Sequence, residues 1–321
     1  MQLGVFLKLF RTRSLEDALA HVASQGIQSV EIATGGYVGN HHLKPKEVLG
    51  NQQEIDKIKR AVEQNRLTIS ALSCHGNPLH PNSAIAQEHH EDFINSILLA
   101  KELGVDTVVN FSGCPGESET SQRSVWITCP WPTDFLETLT WQWEQKVIPY
   151  WEKMGQFARE HGIKIAVEPH PGFVVYNTET AVRLCEAAGD NVGVNFDPSH
   201  LFWQGMDPVL SILHLGSRIY HFHAKDTSIY KHNNELNGVL DTKSYRDIAN
   251  RSWAFRTVGY GHGAELWKEI VSALRTVGYD GAISIEHEDG LMSTQEGFSK
   301  AVHFLKDVLI TEDSGEMYWA R

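Results

Sequence analysis

Cysteine is scarce in this chain of 321 residues: the four are Cys74, Cys114, Cys129 and Cys185, and they show neither zinc-knuckle nor thioredoxin-like spacing. Nothing indicates a disulfide frame, and each thiol is expected to be reduced and structural. Positive charge is also short. Lys and Arg number 28 against 40 Asp and Glu, and the formal charge of −12 opposes non-specific attraction to nucleic acid or an anionic membrane. No apolar run approaches the ~18 residues of a membrane-spanning helix. The opening stretch MQLGVFLKLFRTRSLEDALA lacks the apolar core and small-residue cleavage site of a secretory signal, so a soluble, cytoplasmic protein is expected. No glycine-rich phosphate turn follows Phe6, which argues against an open doubly wound sheet. No linker or low-complexity segment divides the chain. Residues 1–310 are therefore expected to form one domain, and 311–321 a polar tail that carries Tyr318 and Trp319 and is free or docked on a neighbour.

What is present is alternation. β-like runs at residues 3–6, 29–33, 68–74, 107–112, 164–168, 193–197, 219–223 and 282–286 alternate with amphipathic segments such as SLEDALAHVASQG and AELWKEIVSALRTVG. Several of these segments open on a capping residue and close on Gly. Eight βα units in roughly 300 residues predict an α/β fold, a closed (β/α)8 TIM barrel. Three connections, 34–51, 113–132 and 226–262, are too long to be minimal links. All follow strands, so they are expected to supply lids or substrate walls on the catalytic face, a flexible excursion being the plainer reading of any single one.

Four stretches of the second half each run as a strand into a side chain able to ligate a metal: IKIAVEPH at Glu168, VGVNFDPSH at Asp197, IYHFHAKD at His223 and AISIEHED at Glu286. Successive strand residues point to opposite faces. Ile163, Ile165 and Val167 oppose Ala166, Glu168 and His170; Val192, Val194 and Phe196 oppose Gly193, Asn195 and Asp197. Tyr220 and Phe222 oppose His221 and His223; Ile283 and Ile285 oppose Ala282, Ser284 and Glu286. Four times the candidate ligand shares the small or polar face, which a barrel turns inward. Any one of them alone reads equally well as a carboxylate in a buried ion pair. Three carboxylates and one imidazole form a mainly hard-oxygen set, favouring Mn²⁺ and leaving Mg²⁺, Co²⁺ and Zn²⁺ open. Positions left free on such an ion suit an α-hydroxyketone, whose C–H beside the polarised carbonyl becomes acidic. Glu168 and Glu286, from non-adjacent strands, are the pair expected to remove and return that proton.

Other histidines sort by parity. His287 faces outward and is expected to be structural, whereas His221 lies one layer below His223 and reads as a satisfied core or supporting residue. His170 and His75 end strands on the inward face, where they can contact substrate. His41, His42, His89 and His90 read as solvated pairs. Lys225, at the barrel mouth, either holds a substrate oxygen or leaves for solvent. Trp126, Trp131, Trp203 and Trp253 fall in or beside catalytic-face loops and can cover the C–H faces of a sugar, or simply fill space.

The segments VEPHPGF, NFDPSH, HFHAKD, RTVGYGHG and GYDGAISIEHED resemble the xylose-isomerase-like barrel superfamily of sugar isomerases and epimerases, from SVEIATGG through the last strand. The resemblance implies a divalent-metal-dependent isomerase or epimerase that acts on a ketose or keto-sugar by α-proton abstraction through an enediolate. It assigns the metal positions to Glu168, Asp197, His223 and Glu286, and substrate oxygens to His200 and Arg256. The HAKD and RTVGYGHG segments and the long loops also resemble the large subunits of C-glycoside deglycosidases, which implies as the alternative a lyase cleaving 3-keto-glycosides with a small partner subunit. The superfamily's apurinic-site endonucleases fit poorly: Asn110 stands where a further zinc-binding His is wanted, and the charge is acidic. The expected partner is a small carbohydrate, with a homo-oligomer or small subunit open. No Arg/Lys-rich phosphate cradle is evident, which favours an unphosphorylated sugar.

Overall fold

A computed structural model of the chain describes residues 1–313 and 315–320; Ser314 and Arg321 of the expected tail lie outside the described residues. Among the described residues ten strands run in chain order: β1 (Gln2–Phe6), β2 (Ser29–Ala33), β3 (Thr68–Ser73), β4 (Thr107–Phe111), β5 (Lys164–Glu168), β6 (Val192–Phe196), β7 (Ile219–Ala224), β8 (Asp226–Ile229), β9 (Trp253–Arg256) and β10 (Ala282–Ile285). Eight of them close into a parallel barrel in the order β1-β10-β7-β6-β5-β4-β3-β2, a (β/α)8 TIM barrel in a single domain. β8 and β9 form a separate antiparallel ribbon inside the 226–262 connection, with Asp226 opposite Arg256 and Ile229 opposite Trp253.

The barrel is held from outside. Val5, Ile32, Leu72, Val108, Val194, Phe222 and Ile285 are buried, and they join helix residues such as Leu19, Ile97, Trp267 and Phe298 in one continuous apolar shell. Burying a side chain of this size contributes roughly 1.5–3 kcal/mol. Side chains cap the helices Leu15–Ser24, Gln52–Gln64, Ser83–Leu103, Thr178–Ala188, Pro208–Leu215 and Thr294–Val308, from Ser14, Asn51, Asn82, Asn177, Asp207 and Ser293. Each cap is worth about 1 kcal/mol. Among the described residues no helix is long and apolar enough to cross a membrane.

Strict parity fails at two places. The register of β3 slips opposite Val30 and Glu31, and that of β7 slips opposite Val194 and Asn195. Each slip is a bulge, which lets two successive side chains turn to one face. Tyr220 therefore does not face outward as expected. It packs with Ala71, Val109 and Ala166 on the barrel floor, in space left by Gly193, where a Cβ would lie 2.5 Å from its ring. His89, expected in solvent, is buried; its Nδ1 accepts the backbone N–H of Asn77 at 2.9 Å and its ring meets Tyr37 edge-on. Cys129 is exposed, and the other three cysteines are buried thiols.

Candidate active site

The C-terminal ends of β5, β6, β7 and β10 bring Glu168, Asp197, His223 and Glu286 together, with one potential ligand atom from each within 4.8 Å of the others. Asp197 and Glu286 sit one residue past their strands. His223 Nδ1 lies 3.1 Å from Glu168 Oε2 and 3.5 Å from Glu286 Oε2. Asp197 Oδ1 accepts the backbone N–H of Ser199 at 2.9 Å, while its Oδ2 is buried without a hydrogen bond. A buried aspartate gathered with two glutamates and an imidazole is the chemistry of a hard divalent cation's donor set. These four residues can hold such an ion.

Three imidazoles and an amide crowd Glu168. His75 Nε2 stands 3.0 Å from its Oε2, His200 Nε2 3.2 Å from its Oε1, and Asn195 Nδ2 donates to Oε2 at 2.7 Å. His200 is also 3.3 Å from Asp197 Oδ2. His170 has its ring 4.1 Å from that of His200 and borders the same cavity, of about 440 Å³, which is also lined by Lys8, Tyr37, Phe111 and Lys225. Lys225 turns inward and is fully buried, 2.6 Å from Glu286 Oε2, 3.1 Å from Asp197 Oδ2 and 3.2 Å from Glu288 Oε2. Lys8, two residues past β1, donates to the other oxygen of Glu286.

Burial alone would raise the carboxyl pKa values of Glu168 and Glu286. The charge of His223 and hydrogen bonds from His200, His223 and His75 overcome it at Glu168, and the charges of Lys225, Lys8 and His223 overcome it at Glu286, so both lie well below the usual carboxylate range. Burial likewise lowers His223 and Lys225, and the surrounding carboxylates outweigh it, leaving both well above their usual values. Below this layer His221 is pushed down to about 4 by burial, so it is a neutral ring. Its Nδ1 lies 2.9 Å from Asn195 Oδ1, an arrangement that aims the amide N–H of Asn195 at Glu168. His287 packs outward, against Gly297 of the last helix and 3.2 Å from the hydroxyl of Thr257.

Arg256 is not brought to the cluster. On the β8–β9 ribbon Trp253 and Phe255 face the barrel mouth, so Arg256 takes the opposite face; its Nε donates to Asp289 Oδ2 at 3.0 Å and its guanidinium stacks over Tyr260. The ribbon instead contributes an aromatic box beside His170 and His200. Trp203 and Trp253 stack at 4.6 Å, and with Trp126, Tyr245 and Phe255 they line a cavity of about 240 Å³. Trp131 stands apart, 74 % exposed. The RTVGYGHG segment is tied down by Asp226, whose carboxylate accepts the backbone N–H groups of Gly259, Gly261 and His262 and the indole N–H of Trp267.

Residues that sequence reasoning missed carried the same parity signal. In SVEIA, Ser29, Glu31 and Ala33 form the small or polar face, and Glu31 meets His223; in AISIEHED the inward series continues past Glu286 to Glu288, which meets Lys225. Lys8 follows β1 in a 3-10 turn and had no such signal.

A protein of Bacillus subtilis (strain 168), the uncharacterised YfiH, is 39% identical over 297 residues, spanning 92% of this chain and 95% of its own length. An inosose dehydratase of Lacticaseibacillus casei is 33% identical over 138 residues, 43% of this chain and 44% of that one. Among solved structures, a D-psicose 3-epimerase in the presence of D-fructose superposes with a TM-score of 0.63 at 17% identity, covering 96% of this chain and 99% of that one. The family model described as xylose isomerase-like TIM barrel matches residues 19–308, and the chain belongs to that family.

Proposed function

We propose that the protein is a divalent-metal-dependent carbohydrate isomerase or epimerase that moves a proton α to the carbonyl of a ketose or keto-sugar. One observation carries this reading: two buried, ionised glutamates, Glu168 and Glu286, share a 4.8 Å cluster with Asp197 and His223 at the barrel mouth. The similarity to an inosose dehydratase and to a ketose epimerase supports a carbohydrate substrate. A bound divalent ion, Mn²⁺ by ligand type, would supply Lewis-acid stabilisation of the charge that develops on the substrate oxygens. Glu168, Asp197, His223 and Glu286 would hold it.

The remaining work falls to this chain's own groups. Either ionised glutamate can take the α-proton and so become the acid that returns it. Return to the adjoining carbon, with the hydroxyl proton passing to the former carbonyl oxygen, gives isomerisation. Return to the opposite face of the same carbon, by the other glutamate after it gains a proton, gives epimerisation. Lys225 and Lys8 bring cationic N–H donors to the wall of the cavity where substrate oxygens would acquire charge, the imidazoles of His75 and His170 border it, and His200 stands behind it against Glu168. Tyr37 and Phe111 complete the wall of that cavity.

The aromatic box favours a second reading, a lyase. Trp203, Trp253 and Phe255 offer an apolar pocket next to the polar one, suited to a flat leaving group β to the carbonyl. The first step is the same proton removal, after which the C–X electron pair departs with the leaving group. A panel of ketoses and keto-glycosides in D₂O with Mn²⁺ tests both. Deuterium in the recovered sugar without cleavage supports the isomerase or epimerase; aglycone release supports the lyase; no exchange with any substrate rejects both.

A further inference from the structure

We propose that Glu31 is a positioning residue for His223: its carboxylate holds the Nε2–H of the imidazole and thereby turns the Nδ1 lone pair toward Glu168, Asp197 and Glu286. The inference rests on the metal-dependent reading above and adds to it the residue that selects the donor atom.

A neutral imidazole carries one N–H, and only its bare nitrogen can ligate a metal. His223 is fully buried with carboxylates on both sides, so either tautomer has a partner. The surroundings of the carboxylates break the tie. Glu31 is fully buried on the floor side, with its oxygens 2.8 and 3.0 Å from His223 Nε2. It already accepts the hydroxyls of Ser284, at 2.8 Å, and Ser73. Those two donors, one on each oxygen, pin its orientation and leave both oxygens facing His223 Nε2 as acceptors. On the other side Nδ1 looks onto Glu168 and Glu286, which border the open cavity and belong to the cluster that includes Asp197. An alternative grouping of Glu31 with His221 and His223 has no donors to spare, because both ring nitrogens of His221 are taken, by Asn195 and Ser70. The carboxylate also makes the imidazole a stronger donor, as partners behind ligating histidines generally do.

The test pairs Mn²⁺ binding, followed by electron paramagnetic resonance on metal-stripped protein, with ¹⁵N-histidine NMR of the Mg²⁺-loaded wild type. Glu31→Gln is expected to weaken Mn²⁺ by roughly 10- to 100-fold, and the spectrum is expected to show His223 protonated at Nε2. Equal Mn²⁺ affinity in the two proteins, or a proton on Nδ1, overturns the inference while leaving the metal-dependent reading intact. A wild type that binds no Mn²⁺ overturns both. Should Glu31→Gln fail to fold, the tautomer in the wild-type spectrum decides alone, and a merely structural glutamate would not dictate it.

Discussion

Glu286 is bracketed by two ammonium groups, Lys225 and Lys8, and Glu168 by imidazoles, so the two carboxylates reach the same ionised state by different means. Glu286→Gln preserves shape and keeps one accepting oxygen, but it turns an NH2 group toward one of the two ammonium groups and cannot take a proton. Solvent deuterium exchange into substrate is expected to fall by roughly 10²–10⁴, with the circular dichroism spectrum unchanged; a variant with near-native exchange removes Glu286 from the proton transfer. Lys225→Met acts differently, since it leaves Asp197 and Glu286 facing each other without their buried counter-charge. The metal-free protein is expected to lose roughly 3–5 kcal/mol in urea unfolding, and an unchanged midpoint would show that Lys225 contributes nothing to holding the cluster. At this scale the sequence was legible where a residue sat on a regular strand. Glu31 and Glu288 were there to be read by the same alternation, whereas Lys8 in a 3-10 turn was not.

At the scale of elements, the 226–262 connection is the most informative piece. It is a wall rather than a slack loop: the β8–β9 ribbon pairs four residues with four and sets Trp253 and Phe255 beside Trp203. Asp226 clamps its far end by accepting several backbone N–H groups that would otherwise be buried and unpaired. Asp226→Asn halves that accepting capacity and is expected to destabilise by roughly 1–3 kcal/mol and to speed amide exchange at residues 257–263. Protection equal to the wild type there would mean that the segment is held by Trp267 and its neighbours instead. Antiparallel pairing inside a long connection left little trace in the sequence, because Asp226–Ile229 and Trp253–Arg256 are short and separated by 23 residues that only the fold brings round. That is why Arg256, whose place followed from resemblance, is found on the far face with Asp289.

For the whole molecule, the buried charges set a pH response. His221 has a folded-state pKa of about 4 against an ordinary 6.5. Below pH 6.5 the unfolded chain takes up a proton that the folded chain refuses, so stability is full above 6.5 and declines as the pH falls toward 4, by about 3 kcal/mol at the lower end. Glu31, held at about 2, adds a loss in the same direction below its ordinary 4.5. His223 is raised, so its contribution is complete below pH 6.5 and is lost only at higher pH, outside this window. Thermal melts of metal-free protein are therefore expected to rise from pH 4.5 to 6.5, with a shallower rise in His221→Gln. His170, which burial pushes down to about 3, adds a loss in the same direction, and parallel slopes for the two proteins would show that His221 contributes nothing beside it.

What the sequence determined by itself is whatever repeats locally. Alternation of β and α stretches specified a barrel, because period-two and period-3.6 patterns are properties of neighbouring residues. The same period put Glu168, Asp197, His223 and Glu286 on inward faces at strand ends. What only the tertiary structure decided depends on where distant stretches meet. The bulges that turn Tyr220 and Ser70 inward arise from register between paired strands, the burial of His89 from the packing of its helix against Tyr37, and the meeting of Glu31 with His223 from two strands 192 residues apart. A side chain's direction is written in its own strand. Its partner is written only in the closure of the barrel.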